Sequence, residues 1–372
     1  MGRKLYKKDT FLSRENCQII TDSSSGLTNR ELEKLDIFSI PINCKVLGEK
    51  PKNFNTNEEL DQFFSEVKNE RAEKVVTSID HDKVYKILRA TLVNHKFVIF
   101  AGTGESLSSI NSCVRKSVIT MSEKMPNLKA KNRLIVLNTS CVSGGLGFYL
   151  YKMVPFIYSG HHTVGEVFAY NQFLANHIVH EFTSKSFDFV EESRHFSELD
   201  PSLTKKSLKK IFVSESKKDI PLMYVPRTGK VNATGEIFRG KRALANALTA
   251  EFRDSAYSSS GEVWIVYGGS KEDEAFKDAR ELSRQIKRCC PDAKLDLSHR
   301  LTPAVCAHAG DDVVGLIYLS KNVRPDEPIG NDYKRYDAEL NEKTKLMKKY
   351  ITEISRISSL YLKDPDPDLS NL

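Results

Sequence analysis

The chain has 372 residues, of which 40% are hydrophobic and 28% charged, with 56 Lys and Arg against 49 Asp and Glu. That length allows two domains, and the balance is that of an ordinary globular chain. The +7 net charge is interspersed with acidic residues, which argues against nucleic-acid binding, and the most apolar segment, Gly144 to Ile157, carries Lys152 and Pro155 and is too short to span a membrane.

Residues 1–16 read as a basic N-terminal extension without the apolar core of a secretory signal, so the expected location is the cytoplasm, with no integral membrane association. CQIIT, ending at Thr21, reads as the first strand. Thr28 to Glu31 then has the spacing of a capping box, in which each end residue's side chain satisfies the other's backbone N–H. FSIPIN forms a second apolar run, with Pro41 marking an edge or irregular strand. A second capping box at Thr56 to Glu59 opens a helix whose Leu60, Phe63, Phe64 and Val67 share one face. The apolar runs KVVTS (74–78), KFVIF (96–100) and LIVL (134–137) are each followed by a polar loop and an amphipathic helical pattern. Strands and helices alternating in this way predict a mostly parallel sheet flanked by helices, over residues 17–175.

From about residue 176 the pattern changes. His177 to Phe182, PLMYVP (221–226) and GEIFR (235–239) read as strands, the last two straddling a turn at Arg227 to Lys230. Helices over 241–252 and 272–289 and strands at VWIVY (263–267), 294–298 and VVGLIYL (313–319) complete an α+β region, 176–335, with a largely antiparallel sheet. Residues 336–372 read as a polar helix and a loose tail. Seven scattered cysteines, with no C-x-x-C, predict neither a disulfide framework nor a metal site.

The chemistry gathers after the first-region strands. They run into Thr21-Asp22-Ser23-Ser24-Ser25-Gly26, Thr77-Ser78, Ala101 to Ser109, and Asn138-Thr139-Ser140. In a parallel sheet these ends share one edge with helix N-termini, where hydroxyls, backbone N–H groups and the helix dipole suit an anion. Each hydroxyl taken alone is an ordinary helix cap; the group of four loops favours a site. The dinucleotide fingerprint, the phosphate-binding P-loop and the nucleophile elbow are all incomplete. His161-His162 and His177 with His180 lack partners at metal-ligand spacing. In the second region, FRGKRAL (238–244) puts three cations at a helix start, and His308 sits among small residues before a turn. The run KKSLKK (205–210) suits an acidic partner surface.

TDSSSGL (21–27), VVTS (75–78), LSS (107–109), LNTSCVSGGLGFYLYKMV (137–154), FRGKRAL (238–244) and AVCAHAGDD (304–312) together resemble the DegV family of bacterial fatty-acid-binding proteins, in the family's order, over about 17–320. The resemblance implies an α/β first domain with a parallel sheet and a second domain with a largely antiparallel sheet, closing over a fatty acid. It implies a lipid carrier without catalytic residues, cofactor or metal of its own. The carboxylate would be held by Thr77 or its neighbour Ser78, by Ser108 and by His308, with Ser23, Ser109 and Thr139 supporting. Arg239 matches a basic position at the headgroup or the partner surface. Some members present the acid to a separate fatty acid kinase, and the acyl-phosphate then feeds phospholipid synthesis. The sequence departs from the family pattern in three places: Asn138-Thr139 stands for Asp-Ser, Ser109-Ile110 for Gly-Thr, and Glu192 to His195 for a G-G-R loop, where Arg194 or His195 would substitute. Two other readings fit the residues: a serine-dependent hydrolase or acyltransferase using Ser23, Ser106 or Ser108 with His308 and Asp22 or Asp311, and a binding protein for a small anionic metabolite.

Overall fold

The structure, a computed structural model, describes residues 9–46, 57–67, 75–183, 219–225, 232–258, 261–270, 273–310 and 312–322. The first region contains β1 (Phe11–Leu12), β2 (Cys17–Asp22), α1 (Asn29–Leu35), β3 (Ile37–Ile40), β4 (Ile42–Val46), α2 (Asn57–Val67), β5 (Val75–Ile79), α3 (His81–Asn94), β6 (Phe97–Gly102), α4 (Ile110–Lys124), α5 (Ala130–Arg133), β7 (Leu134–Asn138), α6 (Ser143–Tyr158), β8 (His162–Thr163) and α7 (Val164–His177). The second contains β9 (Ile178–Thr183), β10 (Asp219–Tyr224), β11 (Asn232–Arg239), α8 (Lys241–Ser255), β12 (Glu262–Tyr267), α9 (Glu274–Cys289), β13 (Lys294–Asp296), α10 (Pro303–Ala309) and β14 (Val314–Leu319). None of the described helices is long and apolar enough to cross a membrane.

The first sheet has the order β3-β2-β6-β7 and is parallel throughout. Every residue of β2 and β6 is buried, which is why these strands read as continuous apolar runs rather than alternating ones. Ile20, Val98 and Phe100 face α3 and α4, packing with Val84, Leu88 and Val114. Ile19, Ile99 and Leu137 face the opposite way, toward α6 and α7.

One strand departs from the expected pattern. The KVVTS segment forms β5, but β5 pairs antiparallel with β4 and stands outside the parallel sheet. Pro41 separates β3 from β4: it has no N–H to donate to a ladder, so the FSIPIN run breaks there and its second half leaves the sheet to take β5 as its partner. His308, expected among small residues before a turn, lies in a short helix, α10, that Pro303 opens and that Gly310 ends. The capping box at Thr28 and Glu31 is present as expected.

The second sheet has the order β11-β10-β9-β14-β12-β13 and is antiparallel except where β12 meets β13. Its strands alternate. Trp264, Val266 and Ile317 join the same core as Ile19 and Ile99, while Val263, Ile265, Leu316 and Tyr318 pack under α8 and α9.

Helix α6 joins the two sheets, and nearly all of its residues are buried. The run Gly144-Gly145-Leu146-Gly147 lets it sit that close. A Cβ on Gly147 would lie 2.7 Å from the Ser25 carbonyl oxygen and 3.0 Å from the Trp264 ring, and one on Gly144 would collide with Val266. Polar ties reinforce the contact between the regions. Trp264 stacks on buried His299 with ring centroids 3.6 Å apart, and Glu31 of α1 lies 3.8 Å from the same imidazole. Lys152 of α6 pairs with Glu262 of β12. Arg300 donates to Asp61 of α2 at 2.7 Å and to the Gly269 carbonyl, which brings the Tyr267 end of β12 against the first region.

Candidate functional site

The C-terminal ends of β2, β6 and β7 are laced together by hydroxyls. Asp22, the last residue of β2, is fully buried. Its Oδ1 accepts from the Ser24 N–H at 3.0 Å, meets the Ser24 hydroxyl at 2.5 Å and accepts from the Thr103 hydroxyl at 3.1 Å. Its Oδ2 accepts from the Thr103 N–H at 2.6 Å. Burial pushes the Asp22 carboxyl above its ordinary value, and these hydrogen bonds only partly oppose the shift. Thr139, also fully buried, donates to the Gly102 carbonyl at 2.8 Å and accepts from the Cys141 N–H at 3.2 Å, tying β7 to β6.

The β6–α4 loop is anchored on both sides. Gly104 N–H donates to the Cys141 carbonyl at 2.9 Å, and Asn111 of α4 donates to the Thr103 carbonyl at 2.7 Å. Ser108 is half-buried in that loop and accepts the Ile110 N–H at 3.2 Å. A hydroxyl that accepts with one lone pair still has its own proton to donate. Ser109 is exposed and makes no side-chain cap at the start of α4. Ser23 accepts the Ile42 N–H at 2.9 Å and so pins the start of β4 beside the β2 end.

Thr77 and Ser78 separate on the β4–β5 ribbon. Thr77 is opposite Cys44 and Ser78 is opposite Asn43. Residues directly opposite in an antiparallel pair share a face. The Cys44 thiol meets the Pro303 carbonyl of α10 at 3.7 Å, so the Thr77 face turns toward the helix that carries His308. Thr77 is half-buried on that side, whereas Ser78 is exposed on the other. α10 packs on β4, β5, α2 and the Ser23–Ser25 turn. His308 therefore belongs to an element that the fold sets beside Ser23 and Thr77; its side chain lies outside the described residues, as do the side chain of Arg239 and all of Arg194 and His195.

Arg239 is the last residue of β11, just before Gly240 and α8. The cation that follows it at the α8 start has a local explanation: Lys241 is held by Glu274 at 2.6 Å and Asp278 at 2.9 Å from α9. The segments 1–8, 205–210, 226–231 and 323–372 also fall outside the described residues.

A cavity of about 640 Å³ opens between α8, α9 and the far face of the second sheet. Leu244, Ala245, Leu248, Leu282, Thr183 and Val314 contribute to its wall, with Arg242, Arg253 and Arg288 also on its lining. Thr183 and Val314 pair with each other at the end of the sheet that Gly310–Val313 connects to α10. The cavity thus reaches the end of the sheet where the chain returns from the His308 helix. It lies one layer beyond the core shared by the two sheets, on the other side of the second sheet from α6.

The family model described as "Uncharacterised protein, DegV family" matches residues 16–321. The chain belongs to the DegV family. No curated protein matches it. Among solved structures, it is similar to a fatty-acid-binding DegV family protein from Thermus thermophilus at 17% identity, covering 82% of this chain and 99% of that one with a TM-score of 0.65. A stearic-acid-binding protein from Eubacterium ventriosum has 17% identity, coverage of 84% and 99%, and a TM-score of 0.65. DegV from Bacillus subtilis, a fatty acid binding protein, has 16% identity, coverage of 82% and 100%, and a TM-score of 0.60. At these identities the likeness shows the DegV fold. Ser24 and Thr103 were not singled out by sequence reasoning, and Asp22 was named only as the carboxylate of the alternative hydrolase; the available signal was a hydroxyl one or two residues past each of two neighbouring strands.

Proposed function

We propose that the chain binds a long-chain fatty acid. In this reading Thr77, Ser108 and His308 receive the carboxylate, while the acyl chain runs into the cavity between α8, α9 and the second sheet. The observation that carries it is that cavity: about 640 Å³, with Leu244, Leu248, Leu282 and Val314 on a wall that also carries charged side chains such as Arg242 and Glu281, and reaching the strand ends next to α10. The volume is within the range of small-ligand sites, roughly 300–1,000 Å³. Sixteen to eighteen buried methylenes and methyls would contribute on the order of 12 kcal/mol before ordering costs, so the tail supplies the affinity and the polar end the orientation. The fatty-acid binding named with the Thermus thermophilus structure and the stearic acid named with the Eubacterium ventriosum structure support the same ligand class.

Thr77 is favoured over Ser78 because it shares a face with Cys44, which touches α10. Thr139 and Ser23 act as supports, since their oxygens are engaged with backbone groups. The protein acts as a cytoplasmic carrier that presents its bound acid to a separate fatty acid kinase, with Arg239 and Arg194 at the headgroup or docking surface. Serine hydrolysis is less well supported: among the described residues, the partners of Asp22 are Ser24 and Thr103.

Native mass spectrometry of the purified protein, before and after delipidation and re-addition of oleate, tests this reading. A mass increment matching a long-chain acid, restored by oleate, is expected. Protein that is free of lipid from the start and takes up none would overturn it.

A further inference from the structure

The buried floor of the cavity between α8 and α9 is not uniformly apolar. Leu244, Ala245 and Leu248 of α8, Leu282 of α9 and Val314 of β14 share it with three buried polar residues, Thr183 of β9, Thr249 of α8 and Gln285 of α9. The charged groups of the lining belong to the rim. Arg242, Arg253 and Arg288 are exposed, Asp278 and Glu281 are half-buried, and Lys241 is held by Asp278 at 2.9 Å.

The polar residues of the floor have one chemical property in common. The Thr249 hydroxyl donates to the Ala245 carbonyl at 2.7 Å and the Thr183 hydroxyl to the Val314 carbonyl at 3.5 Å, so each has committed its proton and has only lone pairs left to offer. Gln285 is 8% exposed. Its Nε2 donates to Glu281 Oε1 at 3.3 Å, and this contact fixes the amide, because the reversed amide would set Oε1 against the carboxylate. Among the described residues, nothing donates to the buried Gln285 Oε1. The floor therefore presents acceptors and no donor. An all-carbon chain laid along it leaves the Gln285 oxygen unsatisfied, whereas a chain with a hydroxyl of its own brings the missing proton.

The depth of this acceptor follows from the helices. Lys241 and Asp278 touch near the starts of α8 and α9, and the two helices meet again near their ends at Arg253 and Cys289, both on the lining. Thr249 lies about two turns beyond Lys241 and Gln285 about two turns beyond Asp278, so both stand roughly 11 Å along the groove from that ion pair. Ser320, just past β14, bonds to the Ser255 carbonyl at the end of α8, so the opposite end of β14, at Val314 beside α10, faces the start of the groove. A chain that enters there reaches Gln285 with its middle.

We propose that the cavity selects long-chain acids bearing a hydroxyl in mid-chain, with Gln285 as the specificity-determining residue whose Oε1 accepts the hydrogen bond from that hydroxyl. The inference rests on the fatty-acid reading and names which acids suit the same cavity. Isothermal titration of the delipidated protein with stearate and with 12-hydroxystearate, on wild type and on Gln285→Leu, tests it. Wild type should bind the hydroxy acid about ten-fold more tightly than stearate, the worth of one buried hydrogen bond. Gln285→Leu leaves Glu281 its Arg284 partner at 3.0 Å and should erase the preference, weakening the hydroxy acid and sparing stearate. Both ligands are compared on the same protein, so a change in the folded fraction cancels from the ratio. Equal wild-type affinities for the two acids, or a preference that survives in Gln285→Leu, would overturn the inference and leave the fatty-acid reading standing. Binding of neither acid would overturn both.

Discussion

The two sheets use their faces in different ways. The parallel sheet is packed on both, with α3 and α4 on one side and α6 and α7 on the other, and it contributes polar loops at its strand ends. The second sheet presses one face onto α6, close enough for the helix to require glycine, and keeps a cavity beneath the helix pair on the other. The division is physical as well as topological. A site for a charged group needs donors held in fixed positions, which short loops tied by buried hydrogen bonds provide. A site for a hydrocarbon needs room and apolar area, which two helices resting on a sheet can leave between them. Substitutions in the first region should therefore alter ligand placement, and substitutions around the cavity should alter ligand uptake.

The largest effect is expected where the two regions touch. Gly147→Ala places a methyl against the backbone oxygen of Ser25, which cannot swing aside as a side chain could. Overpacking of this kind costs about 1–3 kcal/mol, and the melting temperature should drop accordingly. A wild-type melting curve would mean that α6 is not clamped between the sheets as described. A comparable but more local effect is expected at the polar end. Thr77→Val should weaken carboxylate binding by about 1–3 kcal/mol through one lost buried hydrogen bond. Its neighbour Ser78→Ala, on the exposed face of the same strand, should change binding and stability by no more than about 0.5 kcal/mol. Isothermal titration with a long-chain acid separates the two, and a larger loss at Ser78 would reverse the assignment of faces on the β4–β5 ribbon.

Much of the fold could be read from the sequence, because burial leaves a periodic mark. The runs at Phe97 to Phe100 and Leu134 to Leu137 are continuous because helices cover both sides, and the second-region strands alternate between two cores. The helix cap at Thr28 was legible for a different reason, since it is a local hydrogen-bonding pattern within four residues. The placement of β5 was not, since the choice between joining the parallel sheet and pairing with β4 depends on where Pro41 redirects the chain. The site was legible only as a class of residue. Ser108 could be named from the loop it occupies and Thr77 from the end of its apolar run, yet the Asp22–Thr103 bonds join positions 81 residues apart and leave no local trace. The direction of the Thr77 side chain likewise depends on a register with Cys44 that no spacing rule reveals.

The most direct test of the whole account is photolabelling with a fatty acid bearing a diazirine near its methyl end. The account predicts adducts on α8 and α9, at residues such as Leu248 and Leu282 that line the cavity. Adducts confined to the core shared by the two sheets, at residues such as Leu146 or Ile317, would contradict it.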